Sequence, residues 1–129
     1  MNKKINLIIG SGVLGAYLSA DLIKKKKKVI VKKRSLRKTK YNYNYLKIQN
    51  KVKFEKLDIK NKTSIEKIID KYKPAKIFYF AGQSSITKSL KSQKETFQSH
   101  YNGTKNFLDV LKEKNSKIKF FKANSGYIF

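Results

Sequence analysis

Glycines 10, 12 and 15 come directly after the apolar run Ile5, Leu7, Ile8 and Ile9, and an apolar periodicity of helical type follows them. The order is strand, glycine turn, helix. In that setting Gly10-Ser11-Gly12-Val13-Leu14-Gly15 has the chemistry of a cradle for the diphosphate of a dinucleotide. Gly10 permits a tight turn out of the strand. Gly12 lets the backbone approach a pyrophosphate that any Cβ would strike, and Gly15 lets the helix lie close on the strand. The first turn of the helix then aims unpaired N–H groups and a positive dipole end at the phosphates. A chance glycine turn carries the same three letters; the strand before it and the helix after it single this one out.

Four further stretches carry chemistry. The apolar segment Val29-Ile30-Val31 ends in Lys32, Lys33, Arg34, Ser35 and Arg37, with no acid. An acidic side chain there would bond the adenosine ribose of NAD, whereas basic ones accept the extra 2′-phosphate of NADP. Arg34 and Arg37 are the only arginines of the chain, and their clustering favours NADP, with NAD possible. Asp58, one of eight acids, is placed to accept from an adenine amino group or to hold a turn. Ala81-Gly82-Gln83-Ser84-Ser85 offers small side chains beside which a cofactor can lie, or a plain strand-to-loop turn. Ser125 follows the last apolar segment, as a hydroxyl for a sugar oxygen or as a turn residue. His100 is the only histidine and has no second ligand near it in sequence, so no metal site is expected. The scattered acids give paired-carboxylate chemistry no support.

These residues need a frame to bring them together. Apolar segments and helical periods alternate along the chain, the signature of an α/β domain with a parallel sheet. Strands are expected at about 5–9, 29–31, 52–57, 77–80 and 118–121. The first helix starts near Gly12, with Val13, Leu14, Tyr17, Leu18, Leu22 and Ile23 as its apolar face. No glycine stops it, so a lysine of the run Lys24–Lys28 is expected to take a strained φ. Residues 32–49 read as a loop with a short helix, whose Tyr41, Tyr43 and Tyr45 either pack or stack on bases. Thr63-Ser64-Ile65-Glu66 reads as a capping box opening a helix that ends at Lys73-Pro74. A long helix over about 95–114 carries Phe97, Tyr101, Phe107, Leu108, Val110 and Leu111. Right-handed crossovers predict a Rossmann-like, doubly wound parallel sheet of order 3-2-1-4-5, with the crevice at the carboxyl ends of the strands.

Composition bounds the rest. The 129 residues make one core, a single dinucleotide-binding domain over 1–129. There is no cysteine, which excludes disulfides and thiolate metal sites and suits a cytoplasmic location. No segment is apolar enough to span a membrane, and the N-terminus enters a strand with no signal-peptide pattern. The net charge of +24 comes from 32 basic residues, nearly all lysine. Lysine spread through every element reads as drift toward lysine on solvated surfaces, without specific nucleic-acid or membrane binding. The competing reading is a non-catalytic basic module that binds nucleic acid.

The chain resembles the N-terminal part of an extended short-chain dehydrogenase/reductase acting on sugar nucleotides, the NAD-dependent epimerase/dehydratase family. Within it the chain is most similar to the GDP-mannose 4,6-dehydratases. The resemblance rests on Gly12-Val13-Leu14-Gly15-Ala16-Tyr17-Leu18, Leu57-Asp58, Tyr79-Phe80-Ala81-Gly82-Gln83-Ser84-Ser85, Glu95-Thr96, Gly103-Thr104 with Asn106-Phe107-Leu108, and Phe120-Phe121-Lys122-Ala123. It implies an enzyme that converts GDP-mannose to a 4-keto-6-deoxy sugar nucleotide. Hydride leaves C4, water is lost across C5 and C6, and the hydride returns at C6. It implies that Gly10, Gly12, Val13, Leu14 and Gly15 hold pyrophosphate and that Arg34 meets the 2′-phosphate. Asp58 with Ile59 would meet the adenine, and Ala81, Gly82 and Gln83 would line the cofactor. Ser125 would contact the reacting sugar oxygen as the catalytic hydroxyl, and the intact enzyme would be a homo-oligomer.

Three departures qualify that likeness. The family sets its first glycine one residue earlier, so Gly10 gives a closer GxGxxG. Tyr127 stands where the family has a glutamate for water elimination, and a phenol of ordinary pKa near ~10 is a poor base at neutral pH. The family's Tyr-x-x-x-Lys pair would lie beyond Phe129. The expectation is a sheet incomplete at its C-terminus, of marginal stability, inactive by itself, and exposing Phe120, Phe121, Ile128 and Phe129. A sugar-nucleotide epimerase or ketoreductase, which needs no glutamate at 127, is the alternative within the family.

Overall fold

The computed structural model describes residues 4–34, 36, 41–81 and 93–123. Strand β1 (Ile5–Ile9) leads into α1 (Val13–Lys24), β2 (Lys28–Lys33) into the short α2 (Tyr41–Tyr45), and β3 (Lys53–Lys56) into α3 (Lys62–Tyr72). Strand β4 (Lys76–Tyr79) is followed by α4 (Gln93–Phe97), a π-helical turn (Gln98–Asn102) and α5 (Gly103–Glu113), before β5 (Lys119–Lys122). All strand pairs are parallel, in the order β3-β2-β1-β4-β5. This is the Rossmann-like α/β sheet expected from the sequence.

Alternate residues of each strand face opposite sides. Leu7, Ile9, Ile30, Ile77 and Tyr79 pack against Ile65, Ile68 and Ile69 of α3 and Phe107 and Val110 of α5. Ile8, Val29 and Val31 pack on the other face with Ala16 of α1, Tyr43 of α2, Ile48 and Val52. Burial on both faces is why the central strands read as near-continuous apolar runs.

Four local expectations are corrected. The buried residues of α1 are Gly15, Ala16 and Ser19, while Val13, Leu14 and Tyr17 are more than half exposed. Around Gly15 the helix lies so close to the sheet that only small side chains fit beneath it, whereas Leu18, Leu22 and Ile23 of the expected face do pack on the core, partly buried. Helix α3 is capped by Asn61, whose side-chain oxygen accepts from the Ser64 amide at 3.2 Å; Thr63 lies inside the helix. The long helix over 95–114 is broken by the π-helical turn before Gly103. Phe107, Val110 and Leu111 are buried, but Phe97, Tyr101 and Leu108 are exposed. Strand β2 runs to Lys33, because Lys32 and Lys33 are still paired to β3.

The expected strained lysine is Lys26, at φ 59°. Its amide bonds the Ile23 carbonyl and that of Lys27 bonds Leu22, both at 2.9 Å, closing α1 in a Schellman motif. Lys47 (φ 58°), Lys73 (φ 44°) and Asn115 (φ 47°) take the same left-handed conformation after α2, α3 and α5.

Candidate functional site

At the carboxyl ends of the strands the ladders continue one residue further. The Gly10 amide bonds the Lys32 carbonyl (3.0 Å), Leu57 bonds Lys33 (2.9 Å), Phe80 bonds Ile9 (2.8 Å) and Ala123 bonds Tyr79 (3.3 Å). This makes a stiff rim, and the predicted residues of 10–15, 34, 58, 59 and 81 stand along it. Gly82, Gln83, Ser125 and Tyr127, like Arg37, Ile128 and Phe129, lie outside the described residues. Of the apolar residues expected to be exposed, Phe121 is exposed, while Phe120 is half-buried against the α3 and α5 layer.

The three glycines each meet a different constraint. Gly10 has φ +110°, and a Cβ there would sit 2.9 Å from the Phe80 carbonyl carbon and 3.0 Å from the Ala81 nitrogen. It is pressed on the backbone leaving β4. A Cβ at Gly15 would stand 2.5 Å from the Gly10 carbonyl oxygen and 3.2 Å from the Tyr43 hydroxyl. Gly15 is therefore the close approach of helix to strand. A Cβ at Gly12 would meet nothing within 4 Å among the described residues. Gly12 is the N-cap of α1, makes no side-chain cap, and is followed by a first turn with no acid. The first turn thus begins beside a position open among the described residues and has no acid of its own to compete for its amides, which fits an incoming anion. Below them the Ser19 hydroxyl donates to the Gly15 carbonyl at 2.6 Å.

The basic residues at the end of β2 divide. Lys32 and Lys33 are both buried. The Lys32 ammonium pairs with the Glu55 carboxylate on the α3 side, where the Tyr72 hydroxyl also donates to Glu55. Lys33 lies over the Phe54 ring at 5.5 Å on the other face. Burial works to raise the Glu55 pKa, but hydrogen bonds from Lys32, Tyr72 and Lys53 outweigh it and bring the carboxyl down to about 2. Register places this pair, since Lys32 is the β-neighbour of Glu55. Arg34 is the cation exposed in the bend after β2.

Asp58 holds a turn: its Oδ1 accepts from the Lys60 amide at 3.0 Å. A carboxylate has a second oxygen, so the turn leaves an acceptor for a ligand. Ile59 is half-buried, and its carbonyl accepts from the Asn106 side chain at 2.9 Å. A Cβ at Gly103 would stand 2.2 Å from the Tyr79 hydroxyl and 2.8 Å from Ile59 Cδ1. Helix α5 thereby fixes the loop that carries Asp58 and Ile59. Gly103 and Asn106 stand in the segment that carries the family resemblance, but nothing in their types or spacing signals this clamp. Burial pushes the Tyr79 hydroxyl up to about 12 against the pull of Thr104, and the Tyr43 hydroxyl up to about 12 against that of Ser19. Both phenols stay protonated at neutral pH and act in packing, not proton transfer. Among the described residues no three histidine or carboxylate groups converge on a metal site, and no helix is long and apolar enough to cross a membrane.

The fold is shared with solved sugar-nucleotide epimerases. UDP-glucose 4-epimerase of Thermotoga maritima, crystallised with UDP-glucose, superposes with TM-score 0.80 at 21% identity, over 95% of this chain and 38% of that one. The enzyme of Stenotrophomonas maltophila, with NAD and formylated UDP-arabinopyranose, gives 0.81 at 15% identity, over 98% and 38%. That of Bifidobacterium longum, with NAD+ and UDP, gives 0.80 at 21%, over 95% and 37%. The chain thus spans less than two fifths of the length of these proteins. No curated protein matches it. Residues 7–129 match the family described as GDP-mannose 4,6 dehydratase. The chain therefore belongs to that family, among the NAD-dependent epimerase/dehydratase members of the short-chain dehydrogenase/reductases.

Proposed function

We propose that the chain is the cofactor-holding part of a GDP-mannose 4,6-dehydratase-like enzyme, and that the cofactor is NADP. The observation that carries this reading is that, among the described residues, nothing stands over Gly12 at an acid-free helix start, between glycines that are locked by backbone contacts. In it the amides of Val13, Leu14 and Gly15 bind the diphosphate and Arg34 binds the 2′-phosphate. Asp58 and Ile59 receive the adenine, and Ala81, Gly82 and Gln83 line the nicotinamide half. When bound, the dinucleotide supplies hydride exchange with the sugar. Ser125 bonds the reacting sugar oxygen, and the whole protein, as a homo-oligomer, yields a 4-keto-6-deoxy sugar nucleotide from GDP-mannose. The family match and the sugar nucleotides held by the structural neighbours support the substrate class. Tyr127, in place of the family's glutamate, favours as second reading an epimerase or ketoreductase on the same frame.

Titration calorimetry tests the proposal. A folded sample should bind NADP+ more tightly than NAD+, and Arg34→Ala should weaken NADP+ by about tenfold with NAD+ little changed. Gly12→Val should lower affinity for both by more than about tenfold while costing about 1 kcal/mol of stability or less, because its side chain enters empty space. Absence of heat with either cofactor on a demonstrably folded sample overturns the reading.

A further inference from the structure

Lysine is spread over the whole molecule, but the acids are not. Of the acids whose side chains are described, Glu55, Asp58, Glu66, Asp70, Asp109 and Glu113 belong to β3, α3, α5 and the loop entering α3. Glu55, Asp70, Asp109 and Glu113 pair there with lysines, as in Lys114–Asp70 at 2.8 Å and Lys105–Asp109 at 2.6 Å. The opposite layer, α1, α2 and their connections, holds Asp21 alone, already paired with Lys25 at 3.1 Å. That layer carries the exposed run Lys24–Lys28 with Lys47 and Lys51. Since Ile30 is the β-neighbour of Lys53, Lys28 and Lys51 reach the same end of the sheet. Drift toward lysine accounts for the lysines; it leaves the one-sided placing of the carboxylates unexplained.

The same layer exposes aromatic rings. Tyr41 and Tyr45 are 70% and 69% exposed and Tyr17 is 53% exposed. The rings of Tyr41 and Tyr45 lie 6.5 Å apart and within 18° of parallel. The exposed side of α2 consists of tyrosine and asparagine, and the exposed aliphatic side chains of α1, Val13 and Leu14, stand in its first turn, at the other end of that helix from the run Lys24–Lys28. Near-parallel exposed rings beside a carboxylate-poor row of ammonium groups match a chain of phosphates whose bases are free to stack.

We propose that the α1–α2 layer binds single-stranded nucleic acid, through stacking on Tyr41 and Tyr45 and phosphate contacts from Lys47, Lys51 and the run Lys24–Lys28. Lysine offers point charges and no bidentate fork, so the binding is independent of sequence. Lys28 and Lys51 stand at the amino ends of β2 and β3, away from the crevice at Gly12, and the proposal does not depend on that site's function.

Fluorescence anisotropy of a labelled oligouridylate of about 15 nucleotides, titrated at several salt concentrations up to about 0.15 M, tests this. Binding should weaken linearly on a log–log salt plot. The double variant Tyr41→Ala/Tyr45→Ala should lose about tenfold or more in affinity with the salt slope unchanged, and phenylalanine at both positions should restore it. Lys47→Gln/Lys51→Gln should lower the slope. Saturating NADP+ should leave the oligonucleotide bound. Displacement by NADP+, a double tyrosine variant that binds like the parent, or equal binding of inorganic polyphosphate would each overturn the proposal. So would a preference for phosphatidylserine vesicles over the oligonucleotide.

Discussion

One added carbon has opposite consequences at two glycines three residues apart. At position 12 it enters the space assigned to the cofactor in the proposed function and touches no described residue. At position 15 it meets the Gly10 carbonyl at 2.5 Å, a backbone atom that cannot swing aside. Gly15→Ala should therefore destabilise the chain by about 1–3 kcal/mol, read as a lower urea midpoint with unchanged slope. A different residue-scale test lies at Glu55. Its folded-state pKa, about 2, is below the ordinary carboxyl value of 4.5. A depressed carboxyl stabilises fully above its unfolded pKa, and that stability is lost as pH falls from about 4.5 toward 2. The stake is on the order of 1–3 kcal/mol after solvent screening. Glu55→Gln, which strands the buried Lys32 ammonium, should lower stability by about 2–4 kcal/mol at neutral pH. The gap between parent and variant should narrow in chemical denaturation near pH 3. The glycine roles were legible in the sequence because each is a local demand of a strand–turn–helix. The Lys32–Glu55 pair was not, because it exists only in one particular register of β2 on β3.

Among elements, helix ends show where residue type stops being informative. Lys26 holds a left-handed conformation that glycine adopts without penalty. Lys26→Gly should raise stability by about 1 kcal/mol, seen as a higher melting temperature, since the Schellman bonds stay in place. The stop itself could be foreseen from the absence of a glycine. Which lysine would bear it could not, in a run of five identical side chains. The apolar face of α1 held for Leu18, Leu22 and Ile23 but misled in the first turns for a different reason. Val13, Leu14 and Tyr17 have helical spacing, but the helix–sheet distance set by Gly15 and Ala16 turns them outward. In α5 the periodicity was sound for Phe107, Val110 and Leu111 but not for the exposed Leu108, and it failed upstream of Gly103, where the tight fit on Tyr79 and the π-helical turn reset the phase.

For the molecule as a whole, a net charge of +24 on 129 residues makes the folded state self-repelling, since the compact chain brings like charges closer than the unfolded one does. Raising salt from about 0.01 M to about 0.15 M shortens the screening length from ~30 to ~8 Å and should raise the melting temperature by several degrees. A flat or falling temperature would mean that the ion pairs of the α3 and α5 layer outweigh the repulsion. Strand order was legible because handedness and alternation leave few topologies. The clamp of Asn106 on Ile59 was hidden because it joins segments 47 residues apart. The contact of Gly10 with the peptide between Phe80 and Ala81 has a mechanical corollary. Two banks of the cleft are keyed together at a point with no slack, so a guest that tugs one bank must drag the other. Occupying the turn after β1 should then perturb the amide resonances of residues 80 and 81 as strongly as those of the turn itself.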